Sequence, residues 1–226
     1  MIRSLEALVL HKQWQGDTSA RVSLFTRESG LVHCFCKAGR TPKKQALLQA
    51  FGPLWISLNE RYEPAYIQAV ESRESPMELL GDALLSGLYI NELLYYSLSA
   101  MNPEPELFDA YMVTLKSLVL SEHRTSIEVL LRRFEWILLS VCGYSFSLTQ
   151  EAKTAACILP NAYYQFIAGE GFVSATQGIP GSHVIALAAG NLGESKFLHS
   201  AKMIMRQAID HLVGGREIKA RALYRI

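Results

Sequence analysis

The sequence lacks the short motifs that identify many nucleotide-dependent and hydrolytic enzymes. It contains no G-x-x-x-x-G-K-[ST] phosphate loop, no G-x-G-x-x-G, no H-E-x-x-H and no G-x-S-x-G. No pair of carboxylates and no activated nucleophile stands out along the chain. We therefore expect a protein that is not an enzyme, although an active site whose residues meet only in the fold stays open.

Cysteine is scarce, and its spacing argues against a disulfide framework or a metal cage. The four cysteines, Cys34, Cys36, Cys142 and Cys157, include no C-x-x-C pair. His33 lies beside the first two, but on a strand its side chain points away from both of them. We expect reduced thiols, no metal and no cofactor.

Long apolar runs are also missing. No stretch approaches the ~20 apolar residues that a membrane-spanning helix needs. The first ten residues lack the long apolar region and the small-residue cleavage site of a signal peptide. These absences predict a cytoplasmic protein with no membrane partner.

The whole chain has almost no net charge, but its charged residues are unevenly distributed. The formal net charge is +1 over 226 residues, half of which are apolar. Residues 1–78 carry ten Lys/Arg and eight Asp/Glu, residues 79–147 four and eight, and residues 148–226 eight and five. The two ends are therefore basic and the middle is acidic.

The first 75 residues contain five short strand candidates. They lie at residues 5–10, 21–26, 31–36, 47–58 and 66–70. A Glu-Ser-Gly hairpin turn ending at Gly30 joins the second to the third. Five strands in so short a segment predict a small barrel, and the OB-type fold is the commonest five-stranded choice that binds nucleic acid.

The segment between the third and fourth strand candidates carries charge of one sign. Residues 31–59 contain no Asp or Glu. A loop with Gly and Pro concentrates four cations, which are Lys37, Arg40, Lys43 and Lys44. Such a loop attracts a phosphate backbone, and Phe35 or Trp14 could stack bases on the same face. The alternative is a solvated basic loop without a ligand.

The rest of the chain has mainly helical periodicity. Ser75, Pro76 and Glu78 form a helix-start pattern, so we expect a helical section from about residue 76. Helices are predicted at residues 76–100, 107–120, 125–144 and 194–213. The fold class is therefore α+β and multidomain. Its predicted parts are an OB-type barrel at 1–75, a helical domain at 76–147, and a C-terminal lobe at 148–226, irregular at 148–181, that packs with the helical domain.

The predicted helix at 125–144 begins with a capping-box pattern, Thr125 and Glu128, and ends at Gly143. Within it, Arg132 and Arg133 stand beside a wide apolar face. Two adjacent guanidinium groups in this position either pair with nearby carboxylates or serve an anionic partner.

The C-terminal tail is basic. After residue 195 the sequence has seven Lys/Arg against two Asp/Glu. Arg216, Lys219 and Arg221 follow the glycine pair that ends the last predicted helix. We treat them as further candidates for contact with phosphates.

Several stretches together resemble the bacterial RecO family of recombination-mediator and DNA repair proteins. They are LFTRESG at 24–30, KAGR at 37–40, GLYINELL at 87–94, LRRFE at 131–135 with GY at 143–144, and GGREIKAR at 214–221. The resemblance spans nearly the whole chain and implies an OB domain, a helical domain and a small C-terminal lobe. Many relatives carry a four-cysteine zinc site in that lobe, whereas this chain offers only Cys157, with Cys142 just before it, so a zinc-free lobe is expected.

The resemblance also implies a function. Proteins of this family bind single- and double-stranded DNA, anneal complementary strands and, with RecR, help RecA to displace single-strand-binding protein. The DNA-binding candidates are then Lys37, Arg40, Lys43, Lys44, Arg21, Arg216, Lys219 and Arg221. Arg132 and Arg133 are the candidates for binding the acidic C-terminal tail of single-strand-binding protein. The alternatives are a nuclease or other DNA-modifying enzyme and an adaptor that binds protein tails without annealing DNA.

Overall fold

The computed structural model describes residues 2–59 and 64–223. Its strands are β1 Ile2–Gln15, β2 Ser19–Thr26, β3 Gly30–Cys36, β4 Leu54–Asn59, β5 Ala65–Ser72, β6 Tyr163–Ile167, β7 Gly171–Ala175 and β8 Ile179–Pro180. Its helices are α1 Pro42–Leu47, α2 Gly81–Ser97, α3 Pro105–Val119, α4 Arg124–Val141, α5 Gly181–Ala188, α6 Ser195–Leu212 and α7 Lys219–Leu223. The predicted class, a five-stranded OB-type barrel followed by helices, is confirmed.

The N-terminal strands close into a barrel in the order β1-β2-β3-β5-β4. The long strand β1 closes it by pairing antiparallel with both β2 and β4. The β3–β5 pair is parallel and sets Phe35 beside Tyr66. Alternate residues such as Val22, Leu24 and Cys34 fill the interior. Burial raises the pKa of the Cys34 thiol to about 12, so this thiol stays protonated at neutral pH.

The basic segment between β3 and β4 is only partly a loop. Residues 42–47 form α1, with Pro42 at the start of the helix, where its missing N–H is no loss. Leu48 ends the helix and is buried in the barrel core. The expectation of a loop throughout is therefore wrong for α1, which is too short to show apolar periodicity.

The second helix begins later than its start pattern predicts, at Gly81 instead of about residue 76. The Met77 N–H donates to the Phe51 carbonyl, so the preceding segment is held against the chain that enters β4. Leu79 then packs against Gly87, where a Cβ would lie only 2.6 Å from the Leu79 Cδ1. A side chain that folds back onto α2 cannot also belong to its first turn.

Buried polar contacts attach α2 to its neighbours. The Asn91 amide donates to the Val9 carbonyl of β1 at 3.4 Å, and the Tyr111 hydroxyl of α3 donates to the Asn91 side-chain oxygen. The Glu92 carboxylate accepts the backbone N–H groups of Lys219 and Ala220, each at 2.9 Å. The predicted basic tail is therefore partly helical, and α7 is fixed to α2.

The predicted capping box at the start of α4 is wrong. His123 is the N-cap, and no side chain caps the helix, because Thr125 already lies within its first turn. The predicted end at Gly143 is confirmed: Gly143 has φ +80°, and the Tyr144 N–H donates to the Leu139 carbonyl at 2.8 Å. This is the Schellman arrangement, which favours glycine.

The segment at 148–181 is more regular than its many glycines and prolines indicate. Strands β6, β7 and β8 form a three-stranded sheet in the order β7-β6-β8. Its inner face carries Phe166 and Phe172, whose ring centres lie 5.2 Å apart. Short strands between glycine-containing turns give too few residues for a periodicity signal.

Packing divides the chain into two compact units, Met1–Glu122 with Ile218–Ile226, and His123–Glu217. We call them the barrel unit and the distal unit. This division places α2 and α3 with the barrel, while the three domains drawn from sequence stay a prediction. Over the described ranges, no helix has the length and hydropathy that a membrane span requires.

Candidate nucleic-acid interface

The four cations of the basic segment lie on a short, hydrogen-bonded piece of backbone. Lys37 follows β3, Arg40 lies in the next turn, and Lys43 and Lys44 belong to the first turn of α1. We call these four residues the basic loop. Lys37, Arg40 and Lys43 are exposed, and Lys44 is half-buried.

Hydrogen bonds hold the backbone of the basic loop. The Arg40 N–H donates to the Thr18 carbonyl at 3.4 Å, and the Arg40 carbonyl accepts from the Gln45 amide at 2.8 Å. The Lys44 Nζ donates to the Lys37 carbonyl at 2.6 Å. The cations therefore project from a frame that needs little ordering when a ligand arrives.

Two cations of the basic loop lie over aromatic rings instead of beside carboxylates. The Lys37 Nζ is 4.6 Å from the centre of the Tyr66 ring, and the Arg40 guanidinium is 5.1 Å from the centre of the Trp14 ring. The Lys12 Nζ lies 5.2 Å from the same Trp14 ring. Within residues 2–59 and 64–223, no ion pair involves any member of the basic loop. Their charge is therefore available to a ligand.

The outer face of the barrel continues the Tyr66 side of this surface, whereas Trp14 is the cross-strand partner of Ala20, whose side chain faces the barrel interior. Gln13, Arg21, Phe35 and Tyr66 are successive cross-strand partners on β1, β2, β3 and β5. Partners of this kind lie on the same face of a sheet. The Phe35 and Tyr66 ring centres are 5.9 Å apart. The predicted candidate Arg21 is thus exposed, and its cross-strand partner is Phe35 of the Phe35–Tyr66 pair.

The sequence did not identify Lys12 or Tyr66 as part of this surface. The Lys12 Nζ donates to the Leu48 carbonyl at 2.8 Å, which ties the rim of the barrel to the end of α1. Partial burial lowers the pKa of Lys12. The spacing of Lys12 and Trp14 on one strand was a usable signal. Tyr66 becomes a neighbour of Phe35 only through the parallel β3–β5 pairing, which a local pattern does not reveal.

The remaining DNA candidates lie elsewhere. Arg216 is exposed in the distal unit. Lys219 is exposed on α7 of the barrel unit, and the Arg221 guanidinium lies 5.7 Å from the centre of the Tyr89 ring of α2. The Arg221 contact helps to attach α7, which gives that side chain a packing role.

The arginine pair of α4 lines a cavity of about 430 Å³ within the distal unit. Its walls are mostly apolar and include Trp136, Ile137, Leu148, Leu187, Leu192 and Met205. Arg132 is 8% exposed and forms an ion pair with Glu135 at 2.7 Å, whereas Arg133 is exposed. The two arginines thus differ: Arg132 is neutralised by its partner, and Arg133 offers its charge at the cavity.

A metal site does not emerge from the described part of the chain, where no three His, Cys, Asp or Glu side chains are grouped to hold an ion. Cys34 and Cys36 face the barrel interior, Cys142 is half-buried, and Cys157 is exposed. His33 instead contacts the Ser23 hydroxyl through its Nδ1 at 2.9 Å.

A closed barrel in this strand order, joined to helices, defines a protein of the OB-barrel class. Comparison with known families narrows this class: the models "Recombination protein O N terminal" and "Recombination protein O C terminal" match residues 1–76 and 81–220. The chain belongs to the RecO family, which gives it a role in DNA repair.

Relatives support the assignment over almost the full length. A DNA repair protein RecO from Legionella pneumophila (strain Corby) is 62% identical over 223 residues, which cover 98% of this chain and 97% of the relative. The protein of that name from Pseudomonas entomophila is 37% identical, with 97% and 96% covered. The one from Tolumonas auensis is 34% identical, with 96% and 93% covered.

Proposed function

We propose that the chain is a recombination mediator that binds single- and double-stranded DNA through the barrel, anneals complementary strands and, with RecR, helps to load RecA onto DNA coated by single-strand-binding protein. The observation that carries the proposal is the surface of the basic loop, whose cations have aromatic neighbours and no ion pair among the described residues. Membership of a DNA repair family supports the same conclusion.

Annealing of this kind needs no covalent chemistry, so we propose no enzymatic activity. Two DNA strands repel each other through their phosphates, and cations that neutralise both strands remove this repulsion. Base pairing then supplies the free energy of the product. Because the contacts are to phosphates, the binding is indifferent to sequence and weakens steeply with salt.

The cavity beside α4 suits the tail of single-strand-binding protein. The resemblance implies an acidic tail that ends in an apolar residue and a free carboxylate. In our proposal the apolar walls take the terminal side chain, and Arg133 faces the acidic groups. Arg132, paired with Glu135, shapes the wall. An Arg132→Ala, Arg133→Ala variant should lose tail-peptide binding in a fluorescence anisotropy titration, and unchanged binding would refute this assignment.

An adaptor that binds protein tails without annealing DNA is the second candidate. It is favoured by one observation: the cavity is built entirely from distal-unit residues and shares none with the basic loop. Tail binding therefore does not require DNA contact at the barrel.

Annealing of two complementary fluorescent oligonucleotides, without ATP and over a salt series, separates the two functions. The wild type should accelerate annealing at low salt, and a Lys43→Glu, Lys44→Glu variant should lose the acceleration. A Lys153→Glu, Arg206→Glu variant is the matched control, because it makes the same charge change at exposed residues of the distal unit. No acceleration by the wild type at low salt would favour the adaptor.

A further inference from the structure

Two aromatic rings of the barrel are covered by the cations that the proposed function assigns to DNA. Arg40 lies over Trp14, and Lys37 lies over Tyr66. Trp14 is nevertheless 40% exposed. An indole ring with this exposure becomes accessible to a flat ligand once its covering cation moves.

The two cations over Trp14 differ in how they are held. Lys12, over the same ring, is fixed by its hydrogen bond to the carbonyl of the buried Leu48. The backbone of Arg40 is also fixed, but its exposed guanidinium has no ion pair in the described part of the chain. The side chain of Arg40 is therefore less constrained than that of Lys12 and can turn towards an anion.

Binding of a phosphate competes with both rings for their cations. A charge-assisted bond to phosphate is stronger than the contact of an exposed cation with an aromatic face. DNA therefore draws Arg40 and Lys37 away from Trp14 and Tyr66. The face of Trp14 that Arg40 leaves, on a ring that is already 40% exposed, then meets water unless another flat group replaces the cation, and an unpaired base has the required π-face.

We propose that Trp14 and Tyr66 receive unpaired bases when Arg40 and Lys37 move to phosphates, so that the barrel surface prefers single-stranded DNA to duplex DNA. In a duplex the bases are paired and stacked inside the helix, so the phosphates take the cations but nothing covers the rings. The inference rests on the proposed DNA binding. It adds a strand preference that cations alone do not supply.

The barrel also contains a matched tryptophan that should not act in this way. Trp55 on β4 is 41% exposed, and the Arg73 guanidinium lies 5.8 Å from the centre of its ring. Arg73, however, forms ion pairs with Glu6 and Glu74. Since its cation is already neutralised by carboxylates, a phosphate has little reason to displace it, and we assign no base to Trp55.

The test compares Trp14→Leu with Trp55→Leu in the full chain, using anisotropy titrations of a labelled oligothymidine and of a mixed-sequence duplex of the same length. Trp14→Leu should weaken single-strand binding about tenfold and change duplex binding less than twofold. Tyr66→Leu should act in the same direction. Trp55→Leu should leave both affinities within twofold of the wild type.

Misfolding of Trp14→Leu would lower both affinities. A second measurement therefore keeps Trp14 in place and follows its fluorescence. In a Trp55→Phe, Trp136→Phe background, Trp14 is the remaining tryptophan of the chain and reports directly on stacking. Oligothymidine should quench its fluorescence, and saturating duplex should not.

Three results would overturn the inference while leaving DNA binding intact. They are equal losses for both DNA types in a folded Trp14→Leu variant, no loss for either type, and equal quenching by both types. If the wild type binds neither DNA at low salt, the proposed function itself fails. The two failures are therefore distinguishable.

Discussion

Trp14 and Trp55 lie on the same barrel, are almost equally exposed, and each has an arginine over its ring. They differ in what surrounds the arginine. Glu6 and Glu71 are the cross-strand partners of Trp55, and Glu6 and Glu74 pair with Arg73. Trp14 lies near the end of β1, beside Lys12 and Arg40. Among residues 2–59 and 64–223, neither of these cations forms an ion pair with a carboxylate.

We propose that the same ring–cation contact serves two purposes. Beside carboxylates, the cation is neutralised, and the contact contributes to packing and local stability. Where no carboxylate pairs with the cation, the cation lies over the ring only until an anion binds it. In our proposal, the distribution of Asp and Glu around a contact, more than the contact itself, decides which surface binds DNA.

The largest expected effect comes from a comparison in which two positive charges are removed either from the basic loop or from the surface around Trp55. An Arg40→Gln, Lys43→Gln variant should lose about 30-fold in single-strand affinity at low salt, because two phosphate contacts disappear. For the same reason, its affinity should depend less steeply on salt. An Arg73→Gln, Lys116→Gln variant should change affinity less than twofold, since Glu6 and Glu74 already neutralise these cations. Equal losses in anisotropy titrations would contradict the distinction between the two surfaces.

A smaller effect is expected from the opposite change. A Glu71→Gln, Glu74→Gln variant removes acidic groups from the Trp55 surface and releases Lys116 from its partner. Single-strand affinity should then rise about twofold, because a weakly basic surface replaces a weakly acidic one. Glu122→Gln, Glu170→Gln makes the same charge change at other exposed positions and should raise affinity less. A gain of equal size in that control would mean that the higher affinity comes from the net charge of the protein and not from the surface around Trp55.

Strand and turn chemistry made much of the barrel predictable. Alternating side chains marked the strands, and the Gly30 turn fixed the β2–β3 hairpin, as the register Thr26 to Gly30 shows. Gly143 ended α4 as expected, because its positive φ suits glycine. These signals are local, so a single sequence contains them.

Features that depend on distant residues were not predictable. The segment before α2 is held by the Met77 bond to the Phe51 carbonyl and by the packing of Leu79 on Gly87 of α2, which override a good local start pattern. Glu128 was expected to cap α4, but it contacts Arg124 at 3.5 Å and Lys202 of α6 at 3.7 Å. The i,i+4 spacing of Arg124 and Glu128 is visible in the sequence, but the ion pair with Lys202 is tertiary and has no signature in nearby sequence.

The candidate sites show the same limit. The charge pattern identified the basic loop, yet it could not place Tyr66 beside Phe35 or Lys12 over Trp14. Periodicity put Arg132 and Arg133 on one helix, but it did not show that Arg132 is buried against Glu135. Helical spacing fixes relative faces and leaves open which neighbours cover them.

The most direct test of the account is ultraviolet crosslinking of single-stranded DNA to the full chain, followed by identification of the crosslinked peptides by mass spectrometry. We expect crosslinks at Trp14, at Tyr66 and within residues 35–44, which are lost at high salt. Crosslinks at Trp55, or in the distal unit with none on the basic loop, would contradict the claim that the uncompensated cations of the barrel form the DNA-binding surface.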